Sequence, residues 1–509
     1  MEYIRLENFR CFDDTGKITL TPLMFLVGAN STGKSSFLKQ FPLIKQSVRH
    51  RRNGVFLWNS PSGIDLDNFN NTLKDGEEKM VIEYGISNIN IIGQRPSSRR
   101  KVKRIPNVEV AIELRKVNDR FEYLSHLDIS FYDQKIELEF DKKDIVKNLK
   151  INGVKLNHAD ETIIAGSTNS LLPRLIYVQD GHVDDETSNE CRRIIRELNS
   201  FLQSETDSKY GHPLMHYISI FSDARVESRN KVQKWLSSYF EDPKKEYSLN
   251  ELFIWYNLNR ILDSLNYYFL DLADNITYVQ PIRATAERYY RIDNIYTDEI
   301  NSDGTNLAMF LYNLPKTRLI AFQKWTKRMF DFKVKLKPSE GHVQLQIETP
   351  KSRDIRNITD VGFGYSQILP ILAIIWKALM DFDFSDINKI KTGATDPTRI
   401  IVIEQPELHL HPRFISMFAS MLAKIIMDIK KRDKRLSIII ETHSEALINA
   451  IGEEIANKKT FEKNDVKIIL FNASSEFHSE EAQTSYIKEA SYDSEGYLID
   501  WPYGFFSNR

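Results

Sequence analysis

A glycine-rich segment near the amino terminus constrains this chain more than any other stretch. Residues 28–35 read GANSTGKS, which fits the pattern G-x-x-x-x-G-K-[ST] in full. An apolar, strand-like run (LMFLV) precedes it, and a helical run (SSFLKQF) follows it up to Pro42, which should kink or end the helix. Glycines let backbone N–H groups surround phosphate oxygens, the lysine supplies positive charge and the serine can ligate magnesium. The sequence therefore predicts a phosphate-binding loop between a strand and a helix.

Composition places the chain among ordinary globular proteins. Its 509 residues are enough for two or three domains. Of these residues, 41% are hydrophobic and 27% charged, as in an ordinary globular protein. The net charge of -1 gives no overall attraction to nucleic acid or anionic membranes. The longest apolar run, at 368–380, is too short to cross a bilayer, and the sequence has only two cysteines. We expect a cytoplasmic protein without a membrane span.

The spacing of apolar residues divides the chain into three parts. Strand-like segments predominate up to about residue 190, helical spacing follows to about 274, and strands alternate with helices after that. We predict the amino-terminal half of a nucleotide-binding head, with an antiparallel β lobe, over 1–195. A helical insertion follows over 196–275, and the carboxy-terminal half of the head covers 276–509.

Two fully apolar strands are predicted in the last part. RIIVIE ends at Glu404, and SIIIE is followed by Thr442 and His443. Such strands are typical of the centre of a parallel sheet, and ligands bind at the carboxyl ends of its strands. Glu404 is therefore placed to hold the magnesium of a bound nucleotide. Without the segments around it, the simpler interpretation would be a buried strand that ends in a solvated acid.

Four segments together resemble the ABC-type ATPase heads of the RecF, structural-maintenance-of-chromosomes (SMC) and OLD group. They are ENFRCF at 7–12, DVGFGYSQILPIL at 360–372, IEQPELHLHP at 403–412 and THS at 442–444. Within that group the chain resembles AAA-15, AAA-21 and DUF3696-type ATPases, some of which serve in anti-phage systems such as Septu, certain retrons and PARIS. The resemblance covers roughly 1–90 and 276–509. It implies an α/β fold, a P-loop NTPase head of the ABC type with a mixed sheet, an antiparallel β lobe and a helical insertion; a Toprim domain is not expected.

The resemblance implies roles for individual residues in binding ATP and Mg²⁺. The nucleotide would contact Arg10, Gly28, Asn30, Ser31, Gly33, Lys34, Ser35 and Ser36. Ser35 and Glu404 would hold the metal, and His443 would sense the terminal phosphate. The plainer alternatives are a helix cap for His443 and a solvated strand end for Arg10. The segment YVQPIRA, with Gln280 and Arg283, resembles the region where the family's lobe-coupling residue touches the nucleotide. The plainer alternative is a strand that leads into a proline turn.

The run VGFGYSQ lies where the family places the motif that covers the nucleotide of a second copy. The residues concerned are Gly362, Gly364, Ser366 and Gln367. The usual Leu-Ser-Gly-Gly-Gln is absent, which leaves open whether Gly362 or Ser366 replaces the serine, or whether this is only a helix start. Residues 408–411 fall at the family's dimer-contact loop, and their histidines suit helix capping equally well. The resemblance implies a homodimer or a higher even-numbered homo-oligomer.

One departure from the family pattern concerns catalysis. Gln405 occupies the position of the glutamate that activates the attacking water. A carboxamide can orient water but cannot take its proton, and general-base help is worth about 100- to 10,000-fold. Glu407 and His443 are the candidates to share this role. We expect slow hydrolysis.

The leading interpretation is an ATP-gated, self-associating ATPase that controls a separately encoded effector, such as a nuclease, in anti-phage defence. The alternative is a RecF-like DNA-repair clamp that binds DNA directly, through the basic stretch RPSSRRKVKR at 95–104. A metabolic kinase or a GTPase-like switch is disfavoured because the base-reading Asn-Lys-x-Asp is absent in a suitable place and because VGFGYSQ and ETHS would be unexplained.

Overall fold

The computed structural model describes most of the chain, in ranges separated by gaps. The described residues are 1–50, 52, 54–61, 63–90, 104–118, 121–156, 161–166, 170–205, 234, 237–238, 248–281, 283, 285–292, 299–349, 355–392, 398–432, 434–457, 461–473 and 485–501. Most of the basic stretch at 95–104 lies outside them, so the DNA-binding hypothesis built on it stays a prediction.

Strands occur along the whole of the described chain. They are β1 (Tyr3–Phe9), β2 (Phe12–Asp14), β3 (Ile18–Thr19), β4 (Leu23–Gly28), β5 (Lys79–Asn90), β6 (Arg104–Lys116), β7 (Glu122–Phe131), β8 (Gln134–Phe140), β9 (Val146–Ile151), β10 (Val154–Lys155), β11 (Thr162–Gly166), β12 (Arg174–Gln179), β13 (His182–Asp184), β14 (Ile276–Val279), β15 (Tyr290–Arg291), β16 (Lys333–Ser339), β17 (His342–Glu348), β18 (Ile355–Asn357), β19 (Arg399–Glu404), β20 (Leu436–Glu441), β21 (Val466–Ala473), β22 (Ser485–Tyr492) and β23 (Leu498–Ile499).

Among the described residues, helices are concentrated in the second half of the sequence. They are α1 (Lys34–Leu38), α2 (Gln40–Arg49), α3 (Phe69–Thr72), α4 (Asn189–Glu205), α5 (Leu249–Tyr256), α6 (Leu258–Asp274), α7 (Leu307–Asn313), α8 (Lys316–Phe330), α9 (Gly364–Thr392), α10 (Pro412–Lys431) and α11 (Glu445–Asn457). Single 3-10 turns occur at Ile358–Asp360 and Lys463–Asp465.

The contacts between residues divide the chain into two units. The first consists of Met1–Arg10, Gly16–Ile18 and Gln46–Asp271. Its main sheet is antiparallel, in the order β10-β9-β8-β7-β6-β5-β1, and buried positions alternate with more exposed ones along β7 and β8. Such alternation is typical of a sheet with one face on the core and the other toward solvent. The predicted antiparallel lobe is therefore present.

Helix α6 belongs to this first unit and packs on its strands. Phe269 is fully buried and meets the ring of Tyr84 edge-on, with 5.4 Å between the centroids. The side-chain amides of Asn259 and Asn266 each bond both the N–H and the C=O of one residue, Leu175 and Leu172 respectively. These amides satisfy backbone groups that would otherwise be buried without partners. Helix α6 thus contributes Phe269 to the core of the first unit. The predicted three-part division of the chain stays a prediction.

The second unit consists of Cys11–Thr15, Thr19–Lys45 and Leu272–Arg509, and it contains a mixed sheet. The strand order is β14-β19-β20-β4-β21-β22-β23. The first five strands are parallel to one another, and β22 pairs antiparallel with both β21 and β23. Every residue of β4, β19 and β20 is buried. The phosphate-binding loop therefore follows a central strand, with one predicted apolar strand, β20, next to it and the other, β19, beyond β20.

Apolar helices supply much of the hydrophobic core of the second unit. Leu369 and Leu372 of α9, Leu422 of α10 and Ile448 of α11 are buried in one cluster with the central strands. Burying a side chain of this size stabilises the fold by about 1.5–3 kcal/mol. The apolar run at 368–380 is thus a core helix, and no helix in the described part of the chain has the length and apolar character of a membrane span.

The helix after the phosphate-binding loop is interrupted at Lys39, which separates α1 from α2. Pro42 stands in the first turn of α2, where it has no N–H to donate to the carbonyl of Leu38. The interruption predicted from Pro42 is confirmed.

Candidate functional site

The phosphate-binding loop begins where β4 ends and closes at the first residue of α1. Ser31 and Gly33 have left-handed backbone conformations, with φ of 64° and 97°. A Cβ on Gly33 would lie 2.5 Å from the ring of Phe12 and 2.6 Å from the sulfur of Cys11. Only glycine fits this position, so the loop can turn sharply into the helix.

Lys34 is buried, and its ammonium group bonds the loop itself. The Nζ donates to the carbonyl oxygen of Gly28 at 3.0 Å and to that of Ala29 at 2.6 Å. Burial lowers the pKa of Lys34, and the charge of Glu441 partly opposes this shift. The ammonium is held at the centre of the loop, where an incoming phosphate can replace the two carbonyls as its partner.

Ser35 contacts a carboxylate that sequence reasoning did not single out. Its hydroxyl donates to Oε2 of Glu441, the last residue of β20, at 2.8 Å. Glu441 is buried, which raises its pKa, while the bond from Ser35 and the charge of Lys34 lower it. A signal was available: Glu441 is an acid that ends an apolar strand, the same pattern that identified Glu404.

Glu404 lies beside Glu441, because the parallel register of β19 and β20 pairs the two residues. The hydroxyl of Tyr278 donates to Oε1 of Glu404 at 2.7 Å. Burial raises the pKa of Glu404 to about 7; the Tyr278 bond opposes the rise and the charge of Glu441 adds to it. Two buried carboxylates therefore lie side by side at the carboxyl ends of β19 and β20, and one of them contacts Ser35 of α1.

The turn after β19 carries Gln405 and Glu407. Gln405 has a φ of 42°, and its N–H donates to the carbonyl of Glu441 at 2.8 Å. Oε1 of Glu407 accepts a bond from the backbone N–H of His443 at 2.8 Å, and burial raises the pKa of Glu407. Burial lowers the pKa of the partly exposed His443, and the charge of Lys34 lowers it further. The structure thus brings the three predicted catalytic residues to the edge where Glu404 and Glu441 lie.

Arg283 supports this turn from beneath. It is buried, and its Nη2 donates to the carbonyl oxygen of Glu404 at 2.9 Å. Burial lowers its pKa to about 10, and the charge of Glu407 opposes that shift. Arg283 thus acts on the residues around Gln405 through the backbone.

The signature-like residues surround the first turn of α9 and differ in exposure. Gly362 and Phe363 are exposed, and the Phe363 ring meets that of His409 edge-on at 5.1 Å. A Cβ on Gly364 would lie 3.4 Å from the carbonyl oxygen of His409. Ser366 and Gln367 are buried, and the hydroxyl of Ser366 donates to the carbonyl of Phe363 at 2.7 Å. In this conformation Gly362, not Ser366, faces solvent.

The loop at 408–411 contains a helix cap, whereas the dimer contact expected there stays a prediction. Nδ1 of His411 accepts from the N–H of Arg413 at 3.2 Å and caps α10. His409, with a φ of 61°, contacts Phe363. One histidine therefore caps a helix, and the other joins this loop to the signature-like segment.

The remaining predicted nucleotide contacts differ in their surroundings. Asn30 and Ser31 are exposed in the loop, and Ser36 is half-buried in α1. Arg10 belongs to the first unit, where its backbone N–H donates to the carbonyl of Thr72. The nucleotide contact expected of Arg10 stays a prediction.

The donor set at this edge fits magnesium. The hydroxyl of Ser35 and the carboxylates of Glu404 and Glu441 are oxygen ligands, which Mg²⁺ prefers and which it combines with nucleotide phosphates. No cluster of three or more His, Cys, Asp or Glu side chains suited to a metal occurs among the described residues. The ion would therefore rely on these three groups and the phosphates to neutralise charge.

Several solved structures are similar to this chain. They include the SMC head domain from Pyrococcus furiosus with an extended coiled coil, bound to the C-terminal domain of ScpA (8% identity, TM-score 0.32, 96% of each chain covered). The SMC head bound to the C-winged helix domain of ScpA shares 10% identity at a TM-score of 0.33, with 96% of this chain and 98% of the other covered. The SMC head domain from Thermotoga maritima shares 10% identity at a TM-score of 0.34, with 96% of this chain and 97% of the other covered.

A comparison with curated protein sequences gives no match. The family model AAA_15, described as an AAA ATPase domain, matches residues 1–448. This match covers most of the chain, including the loop, Glu404 and Glu441. The protein is therefore an ATP-binding ATPase that belongs to the AAA_15 family.

Proposed function

We propose that Mg²⁺-ATP bound at Lys34 and Ser35 draws two copies of this chain together, and that the pair controls a separately encoded effector. The observation that carries the proposal is the exposed Gly362–Phe363 segment at the start of α9, which packs on His409 of the loop after β19. Through that loop the segment is connected to the turn that holds Gln405 and Glu407. A change at the nucleotide can therefore reach a surface available to a second copy.

The chemistry of this surface suits an anion. The N–H groups of Tyr365 and Ser366 donate to the carbonyls of Gly362 and Phe363 in the same turn. The attraction for an anion here is therefore the partial positive charge at the start of a helix. A Cβ on Gly362 would meet no atom within 4 Å, so the space in front of the helix is open. The phosphate of a nucleotide held by a second copy can approach there.

ATP would act by shifting a population. A ligand that binds the paired state more tightly than the single chain favours pairing by that difference in affinity. Gln405 favours slow hydrolysis and hence a long-lived pair. The effector, a nuclease, and a role in bacterial anti-phage defence follow from the resemblance of IEQPELHLHP and THS to defence ATPases.

The test is the mass of the chain with and without a non-hydrolysable ATP analogue. Light scattering should show a monomer mass without nucleotide and at least a dimer with AMP-PNP and Mg²⁺. Lys34→Ala should remove the response, whereas Lys324→Ala, which removes an exposed lysine of α8, should keep it. A mass that ignores AMP-PNP, or an unaffected Lys34→Ala, would refute pairing through this loop.

Control of the effector, the second part of the proposal, needs a separate measurement. The product of the gene beside this one should be co-purified with the chain and its cleavage of DNA and RNA measured with ATP and with AMP-PNP. We expect nuclease activity that changes with the nucleotide and no longer responds in Lys34→Ala. If instead the chain alone binds DNA only with ATP, the clamp alternative replaces the effector model.

A further inference from the structure

Glu441 is a buried carboxylate that the motifs of the phosphate-binding loop do not account for. It is 3% exposed, and Glu404, its register partner on β19, is 5% exposed. Partners on adjacent strands point to the same face of a sheet, so both carboxyl groups occupy one side of the strand edge. Like charges directly opposite are unfavourable in a sheet, and burial removes the water that would screen them.

The surrounding cation and hydroxyl groups offset this repulsion only in part. The charges of Lys34 and Lys39 favour the ionised form of Glu441. The charge of Lys39 also favours the ionised form of Glu404. The ammonium of Lys34 also donates to two carbonyls of the loop. Tyr278 donates to one of the two oxygens of Glu404. A divalent cation at this edge would supply the missing positive charge.

The contact with Ser35 fixes where such a cation would lie. An ion held by the Ser35 hydroxyl at about 2.0–2.1 Å, the usual distance for Mg²⁺, would lie at most about 5 Å from Oε2 of Glu441. This bound follows because the hydroxyl oxygen is 2.8 Å from that carboxylate oxygen. At such separations opposite charges attract strongly inside a protein.

We propose that Glu441 is the second carboxylate of the Mg²⁺ site, sharing with Glu404 and Ser35 the ion that accompanies ATP. The assignment rests on the proposed binding of Mg²⁺-ATP at this loop. Its consequence is a linkage: the carboxylate repels the phosphates when no metal is present and attracts the ion when it is. Glu441 thus makes nucleotide affinity depend on the metal.

The experiment measures the affinity for a fluorescent AMP-PNP analogue in Mg²⁺ and in EDTA, without any reading of turnover. Glu441→Gln keeps the size and hydrogen bonding of the side chain but removes its charge. We divide the dissociation constant in EDTA by that in Mg²⁺. We expect this ratio to be at least 10-fold smaller in the variant than in the parent, as for other residues that support a metal site. In EDTA the variant should bind as well as the parent or better, which also shows that it is folded.

Two further variants make the result decisive. Glu453→Gln removes an exposed carboxylate of α11 and should keep the parent's ratio. Ser35→Ala, which removes an expected ligand, should lose the metal dependence. If Glu441→Gln keeps the parent's ratio while Ser35→Ala loses it, Glu441 merely holds the serine and the proposal is wrong. If the parent binds no nucleotide and Lys34→Ala changes nothing, the proposed function fails instead.

Discussion

At the scale of single residues, Gln405 sets the expected rate of hydrolysis. Its backbone N–H donates to the carbonyl of Glu441, the residue whose carboxylate accepts a bond from Ser35, so Gln405 lies close to the phosphate-binding loop. Gln405→Glu keeps the shape and adds a proton acceptor, so we expect turnover to rise by roughly 10- to 100-fold. Phosphate release at saturating Mg²⁺-ATP measures this.

The controls for this prediction separate water activation from damage to the turn. Gln405→Ala should release phosphate no faster than the parent and should still bind AMP-PNP. The prediction would be contradicted if the parent already hydrolysed ATP at the rate of a fast motor ATPase. It would also be contradicted if Gln405→Glu released phosphate no faster than the parent. The search for the base would then move to Glu407, whose carboxylate accepts a bond from His443.

The residues of the site differ in how far the sequence reveals them. Lys34 and Ser35 follow from local spacing, and Glu404 from the apolar strand that it ends. Glu441 contacts Ser35 across 406 positions, and that contact depends on β20 lying next to β4. Strand order is set by long-range packing, so a local pattern could propose Glu441 but could not pair it with the serine.

At the scale of elements, the apolar strands and the break near Pro42 could be predicted because burial and the missing N–H of proline act locally. The shortest strands could not be predicted from the sequence. β15 and β18 contain two and three residues, and each is a strand only because it pairs with β17. Their sequences have too few positions for a period to show.

One carboxylate ties together neighbouring strands of the antiparallel sheet. Glu113 of β6 accepts bonds from Lys79 of β5 at 3.2 Å, from Arg115 at 3.0 Å and from Ser125 of β7 at 2.8 Å. Burial alone would raise its pKa, but these bonds outweigh burial and lower the pKa to about 2. The ionised form of Glu113 therefore stabilises the folded sheet.

The sign of this pKa shift gives a pH prediction. An acid with a lowered pKa contributes stability above its unfolded value, near 4.5, and loses it as the pH falls toward 2. Glu113→Gln should lower the free energy of unfolding by roughly 1–2 kcal/mol at pH 7 and by less at pH 3. Urea unfolding at both pH values measures the difference. Glu340→Gln, an exposed control, should change little, and an equal loss for Glu113→Gln at both pH values would contradict the prediction.

At the scale of the whole molecule, the resemblance identified the signature-like segment but not which of its side chains face outward. Ser366 and Gln367 are buried, whereas Gly362 and Phe363 are exposed. A helical period shows which residues share a face, but only the packing of α9 on the core decides which face is inside. The surface available to a second copy therefore had to come from the structure.

Phe363 tests whether this surface joins two copies. Its ring is 50% exposed in the single chain, so Phe363→Ala should change the free energy of unfolding by less than about 1 kcal/mol. A buried aromatic anchor can contribute 2 kcal/mol or more at an interface, so the AMP-PNP-dependent dimer should weaken by roughly 10-fold or more. Sedimentation across a concentration series measures this. Tyr497→Ala removes a ring that is 68% exposed and should leave pairing intact. Equal pairing by both variants would place the contact elsewhere.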